Sequence, residues 1–488
     1  MPRAKTQTGG RAETTGIITG DYCLSVGMPD LEPPKGWRWT KLSDLARLET
    51  GHTPARKFPE YWGGDVPWVG IRDATGNHGQ TIYKTNQYTN DLGIANSSAR
   101  ILPKNTVCLS RTASVGYVIV MGTEMATSQD FVNWVCDPEK LDYLFLMYVL
   151  LAENRSFLRF ASGTTHQTIY FPEVKAFHVC LPSLENQKSI AHILGTLDDK
   201  IELNRRMNVT LESMARALFK SWFVDFDPVI DNALAAGNPI PEPLSARAQT
   251  RRDLGTKRKP LPKNIQKLFP ERFVFDEEMG WIPDGWEVDS IKNRAAAIQY
   301  GFTQSSSEEK VGPHFLRITD IRGGKVNWPS VPFCVATESE KEKYRIQDGD
   351  IFVARTGAST GENTYVVEPP DAVFASYLVR FQFVSRGLGR FVGQFMRSPS
   401  FFNHVDGILG GSAQPNASAQ ALASAITAFP SDAIADVFFD ELRSFDLKSS
   451  GNQRQASSLA KLRDTLLPKL LSGELRIPDA EKLVAGSL

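Results

Sequence analysis

The sequence predicts an α+β protein made of one module used twice, each copy a set of short β-strands followed by a long helix. Three observations carry this. Ordered blocks recur at near-constant spacing, the blocks hold short apolar runs broken by Gly and Pro, and each copy ends in a heptad-spaced apolar seam.

The repeat is read block by block. Pro34-Lys35-Gly36-Trp37-Arg38 returns as Pro283-Asp284-Gly285-Trp286-Glu287. The stretch from Asn105 through Arg111-Thr112 to Gly116 returns from Gly349 through Arg355-Thr356 to Gly361. GTTHQTIYFPEVKAFHVCLP (Gly163 to Pro182) overlies GSAQPNASAQALASAITAFP (Gly411 to Pro430), and at the same offset Asn204-Arg205-Arg206 overlies Asn452-Gln453-Arg454. Any one match is within reach of chance; four in one order are not.

Within each copy the β-like runs come first. They are Val66 to Ile71 and Thr106 to Leu109 in the first, and His314 to Ile318 and Asp350 to Ala354 in the second. A helical seam follows each. The first is Ile190, Leu194, Leu197, Ile201, Asn204, Asn208, Leu211, Ala215, Leu218 and Trp222, a 4-3 spacing that signals helix-on-helix packing. The second repeats it with Phe438, Leu442, Phe445, Asn452, Ala456, Leu459, Leu466 and Leu470. Asn204 and Asn452 interrupt the seams at the same place, where a polar residue lowers stability and fixes register. Gly451 and Pro468 mark points where the second helix is expected to bend.

These signals place a first module at 34–183, a first helical segment at 184–230, a second module at 281–431 and a second helical segment at 432–480. Residues 1–33 read as a flexible Gly/Thr-rich extension, with Met28 as an alternative start, and 481–488 as a tail. Between the halves, 231–280 reads as a Pro- and Gly-rich connector with a basic run from Arg247 to Lys259. That run is either a solvated linker or an auxiliary strap on phosphates.

Composition narrows the class. Basic and acidic residues balance at 55 each, so a nucleic-acid binder here must gather its cations on one face or share the grip with other subunits. The five cysteines (Cys23, Cys108, Cys136, Cys180, Cys334) never form a C-x-x-C pair, which argues against zinc and disulfides and suits a reducing cytoplasm. The most apolar stretch, Tyr143 to Ala152, is far short of the ~20 residues of a membrane span. The N-terminus has no signal-peptide core. No phosphate loop, G-x-S-x-G elbow or H-E-x-x-H helix is present. The Pro-Pro pairs at Glu32 to Lys35 and Glu368 to Asp371 lack the aromatic residue of a methyltransferase loop. Pro283-Asp284 with Glu308-Glu309-Lys310 imitates a metal-dependent nuclease pattern, but the two parts fall in a turn and a polar loop rather than on adjoining strands. The histidines His52, His78, His166, His178, His192, His314 and His404 show no metal-ligand spacing, so neither a metal nor a catalytic residue is assigned.

The Gly-Trp openings, Gly51-x-Thr53-Pro54, Tyr61 to Trp68, the Arg-Thr-x-x-x-Gly strand, the approach through Leu181-Pro182 to Gln187, and Leu462 to Leu475 together resemble type I restriction-modification specificity subunits over residues 34 to 480. The resemblance implies two target-recognition domains, each reading half of a split site on double-stranded DNA, held apart by two helices packed as an antiparallel coiled coil. It implies a non-catalytic chain that docks two methyltransferase subunits and motor-nuclease subunits. S-adenosylmethionine, ATP and Mg belong to those partners. A helix from Ile190 to Trp222 spans roughly 50 Å at about 1.5 Å per residue, enough for half-sites about 34–36 Å apart. One departure is that Glu185-Asn186-Gln187 has no counterpart before the second helix, so the second methyltransferase copy is expected to dock through different contacts. Two other classes stay open: a self-sufficient methyltransferase or nuclease with a drifted motif, and a stand-alone bipartite DNA binder.

Side chains able to reach base edges or phosphates name the candidate readers. In the first module these are His52, Thr53, Arg56, Lys57, Arg72, Asn77, His78, Arg111 and Gln167. In the second they are Thr303, Gln304, Arg317, Arg322, Lys325, Arg355, Gln414 and Asn416. Arg111 and Arg355 stand out because the repeat places both beside Thr and Gly; each either meets DNA or buttresses the fold through a buried ion pair.

Overall fold

The two seamed stretches are helices of 40 residues each, Leu184–Phe223 and Asp432–Leu471. In the computed structural model, which describes residues 12–112, 114–162, 167–255, 260–410 and 415–488, the chain divides into two units. One carries residues up to Glu202 together with Ser458–Leu488; the other is Leu203–Ser457. Each unit therefore holds one module, the opening half of the long helix that follows it, and the closing half of the other long helix.

In the first unit, Ala46–Thr50, Phe131–Cys136, Val107–Ser110, Val118–Met121 and Gln80–Ile82 form a five-stranded sheet in that spatial order. Val107–Ser110 and Val118–Met121 are buried at every position, so they read as apolar runs and not as alternations. Trp62–Val69 pairs in parallel with Ala126–Thr127 and antiparallel with Gln87–Thr89.

The second unit repeats this plan. Ala297–Tyr300, Leu378–Gln382, Ile351–Ala354 and Asn363–Tyr365 reproduce the first four strands of the larger sheet in the same order, all antiparallel. His314–Leu316 with Ala372–Phe374 reproduces the parallel pair. Arg38–Lys41 with Phe177–Leu181 matches Glu287–Ser290 with Ile426–Phe429. The duplication read from scattered identities is a duplication of strand order and direction.

The long helices pair antiparallel within each unit. In the first, Arg463 Nη1 meets Asp198 Oδ1 at 2.6 Å, and Tyr148 donates to the other Asp198 oxygen at 2.8 Å. In the second, Asn204 donates to Gln455 at 3.0 Å and Asn452 donates to Asn208 at 2.8 Å, while Phe219 and Trp222 pack on Phe438. Of the predicted seam, Ile190, Leu194, Leu197, Ile201, Asn204, Ala215, Trp222, Phe438, Leu442, Asn452, Leu459, Leu466 and Leu470 are buried. Leu211, Leu218 and Phe445 are half-buried. The second helix continues through both Gly451 and Pro468, so neither ends it.

Three expectations at the flanks are corrected. Residues 18–26 are not a loose extension: Ile18–Thr19 and Leu24–Val26 complete a four-stranded sheet with Phe177–Leu181 and Arg38–Lys41. The cause is distant in sequence. The fully buried Glu153 carboxylate accepts the backbone N–H groups of Asp21, Tyr22, Cys23 and Leu24, and a start at Met28 would strand it. The connector is ordered as well. Helices Asp227–Ala236 and Ser245–Leu254 pack together, with Arg247 forked onto Asp227 and Arg251 paired with Asp231. The first cations of the basic run are therefore neutralised inside the connector; Thr256 to Lys259 lie outside the described residues. The C-terminal tail belongs to a helix, Ile477–Ala485, that buries Ala480 and Val484. Among the described residues no helix is long and apolar enough to cross a membrane.

Candidate nucleic-acid interface

The feature common to both modules is a small polar cluster where two strands end. In the first, the Arg111 N–H donates to Asp130 O and its carbonyl accepts from Ile169 N–H, so the backbone is tied on both sides. Arg355 repeats this with Tyr377 O and Ala417 N–H. The side chains follow. Arg111 Nη2 donates to Gln129 O at 3.1 Å, and Thr53 Oγ1 donates to the Gln129 side chain. Arg355 Nε donates to Ser376 O at 3.2 Å, and Thr303 Oγ1 bonds Ser376 Oγ at 3.1 Å.

A glycine makes each cluster possible. A Cβ on Gly51 would sit 2.0 Å from Ser128 O, and one on Gly301 would sit 2.3 Å from the carbonyl oxygens of Phe374 and Ala375. These close approaches bring Thr53 and Thr303 beside the turn that carries Gln129 or Ser376. Gln129 and Ser376 were missed by sequence reasoning, because strand pairing alone brings them to the arginine. Among the described residues neither arginine forms the buried ion pair expected as the alternative role. Arg111 lies over Phe171 at 4.7 Å, and Arg355 lies over Tyr300 at 5.0 Å and donates to Asn416 Oδ1 at 3.0 Å.

Around this shared core the modules diverge. The first has a concavity of Arg56, Trp62, Gly63, Gly64, Asn86, Gln87 and Tyr88. Arg56 lies 5.0 Å from the Trp62 ring centre and 5.3 Å from Trp68, and donates to Gln87 at 3.2 Å. Lys57 reaches over Phe58. His52 is held by its main chain: its N–H donates to Thr127 O and its carbonyl accepts from Trp68 Nε1, leaving the ring exposed. Arg72 and Gln167 are exposed, the latter next to residues 163–166, which lie outside the described set. Asn77 and His78 bond to the main chain of their own module instead. The Asn77 amide caps Asp73 O at 2.7 Å, and His78 Nδ1 accepts the Val118 N–H at 3.1 Å. Desolvation, and then the Arg463 charge, hold the His78 pKa below its ordinary value, so the neutral ring acts as a latch.

In the second module Thr303, Gln304 and Asn416 are exposed, and Gln304 donates to Val335 O at 3.2 Å. Arg317 is clamped on Asp320 by two bonds of 2.9 and 3.0 Å. Arg322 is exposed on a short strand. Lys325 points elsewhere: its ammonium donates to Asn208 O on the first long helix, and desolvation lowers its pKa. Beside it, Arg397 pairs with Glu212 at 2.7 Å and Arg390 forks onto Asp446 at 2.8 and 2.9 Å. These pairs fix the second module to its helices. In the first unit that duty falls to Gln187, buried, which accepts from Asp142 N–H and donates to the carbonyls of Lys140 and Pro182. Gln414 lies outside the described residues.

Two structural repeats, each presenting the same polar cluster beside module-specific loops on a paired helix, define a duplicated recognition scaffold. The model of the type I restriction modification DNA specificity domain matches residues 34–213. The chain is similar to the MjaIX type I specificity subunit of Methanocaldococcus jannaschii, at 26% identity over 91% of this chain and 95% of that protein. It is also similar to the HindI specificity subunit of Haemophilus influenzae, at 28% identity over 68% and 77%. In fold it resembles a crystal structure of a type I restriction-modification S subunit from M. genitalium, with a TM-score of 0.54, 16% identity and coverage of 89% and 96%. Residues 34–213 thus match a type I restriction modification DNA specificity domain, and most of the chain is similar to type I specificity subunits.

Proposed function

We propose that this chain reads a split, asymmetric sequence on double-stranded DNA, one half-site per module, and carries no active site of its own. The carrying observation is the cluster of Thr53, Gln129 and Arg111 repeated as Thr303, Ser376 and Arg355, set among loops that differ between the copies. A shared core with divergent surroundings suits two readers of different half-sites. In this reading the paired helices dock two methyltransferase subunits, and motor-nuclease subunits join that core in the cytoplasm. S-adenosylmethionine, ATP and Mg are handled by those partners.

The test is long-read methylation mapping of the source genome with the gene intact and deleted. Loss of one split, asymmetric adenine-methylated motif on deletion is the expected result. Methylation by the purified chain alone, given the methyl donor, would overturn the non-catalytic reading.

A further inference from the structure

We infer that Arg111 and Arg355 are a matched pair of backbone-phosphate anchors, one per module, that grip DNA without reading its sequence. The inference rests on the DNA-reading function and divides its labour. Two modules that read different half-sites need different base contacts, but both meet the same phosphate chain. Whatever they share at the surface is then the sequence-independent part, and the shared part is this arginine with its threonine and strand-end carbonyl.

The chemistry fits an anion. Each guanidinium is pinned on one edge by a main-chain carbonyl and lies over an aromatic ring, Phe171 or Tyr300, which fixes the plane of its donor fork. A planar fork fixed in advance matches two phosphate oxygens better than a mobile ammonium does. Among the described residues no carboxylate lies within ion-pair distance of either, whereas Arg247, Arg251, Arg317, Arg390, Arg397 and Arg463 all have one. Arg111 Nε is buried with no acceptor. Desolvation lowers the Arg111 pKa, with Asp130 and Tyr170 acting weakly against it, so the charge is only partly compensated in the free chain.

Base reading belongs by contrast to what is not shared. Arg56 and Gln87 line a concavity in the first module, while the repeat puts Ser306 where Arg56 stands.

The experiment uses the full chain with its methyltransferase partners. Binding to the cognate duplex and to an unrelated duplex of equal length is measured over a range of salt. Arg111→Gln and Arg355→Gln are each expected to weaken both duplexes by the same factor, on the order of 10-fold. Each should also reduce the slope of log K against log salt by about 0.9, the share of one phosphate. Arg→Lys should restore the slope but only part of the affinity. Loss confined to the cognate duplex with an unchanged slope would overturn the inference in favour of base reading. Unchanged binding with a lowered melting temperature would overturn it in favour of a structural role. If the wild-type complex shows no preference between duplexes, sequence reading itself fails; the slope change on the unrelated duplex still decides the phosphate assignment.

Discussion

Replacing Glu153 by Gln removes one charge and one acceptor from the place where residues 18–26 are held. Oε1 accepts three N–H groups at 2.7, 2.8 and 3.2 Å, and Oε2 accepts the Asp21 N–H at 2.7 Å and the Ser156 hydroxyl at 2.6 Å. Gln keeps one oxygen, so three charge-assisted bonds become ordinary ones. The amide NH2 then faces the Asp21 N–H, which keeps only its longer bond of 3.1 Å to the Ser156 hydroxyl. Together these changes cost about 2–4 kcal/mol. For a unit of this size that lowers the melting temperature by roughly 5–15 °C. Hydrogen exchange resolves the location: amides of Leu24–Val26, protected in the wild type, should exchange faster in the variant, while those of Ile351–Ala354 in the other unit keep their rates. A Glu153→Gln chain that melts with the wild type and keeps its Leu24–Val26 protection would refute the clasp.

Other substitutions test separate parts of the structure. Burial alone would raise the Glu212 carboxyl, but Arg397, Arg216 and Lys325 outweigh it and hold its pKa below 4.5. A depressed carboxylate lends stability that is present above its unfolded pKa and lost as pH falls through its folded value. Glu212→Gln should therefore lower the unfolding free energy by about 3 kcal/mol at neutral pH, read from urea melts, and flatten the loss of stability as pH falls through the ordinary carboxylate range; an unchanged pH profile would count against the pairing. Asn452→Leu gains apolar burial of about 1.5–3 kcal/mol and strands the Asn208 oxygen at a similar cost, leaving stability nearly unchanged. The double variant with Asn208→Leu should exceed both singles in denaturant, and a double variant weaker than either would mean the polar layer is net stabilising. Gly301→Ala forces a Cβ to 2.3 Å from two carbonyl oxygens and should cost about 1–3 kcal/mol with loss of DNA binding, whereas Gly451→Ala, with open space around it, should stabilise the helix by about 1 kcal/mol. Thermal melts of the two glycine variants check both signs.

What the sequence disclosed follows from how each feature is encoded. The long helices were legible because their pattern is local and repeats every seven residues. The duplication was legible because the strand-end arginines and glycines need particular residue types at particular places: Gly116 and Gly361 both sit at positive φ. Gln129 and Ser376 were not, since nothing near them marks a strand end that will face an arginine. The N-terminal strands are two and three residues long, and what holds them is a carboxylate some 130 residues away. The connector hid its order because six prolines and three glycines interrupt it, while its structure rests on Arg247 and Arg251 reaching back to Asp227 and Asp231. Lys325, His78 and Asn77 show the converse: a side chain able to reach DNA is equally able to reach a neighbouring main-chain group, and in each of these it does.

The way the units are assembled has a bearing on the order of events during synthesis. The first unit is closed by Ser458–Leu488, which is made after the whole of the second unit. At roughly 5–20 residues per second, the emerging Leu184–Phe223 helix waits tens of seconds for its partner. During that wait the seam positions Ile190, Leu194 and Leu197 lack the Ser458–Leu471 stretch that completes their unit. The second unit suffers no such delay, because Leu203–Ser457 is contiguous and can settle as it emerges. Completion of the first unit is thus timed by Ser458–Leu488, and termination within Asp432–Leu471 leaves that unit unfinished although every residue of its module has been made.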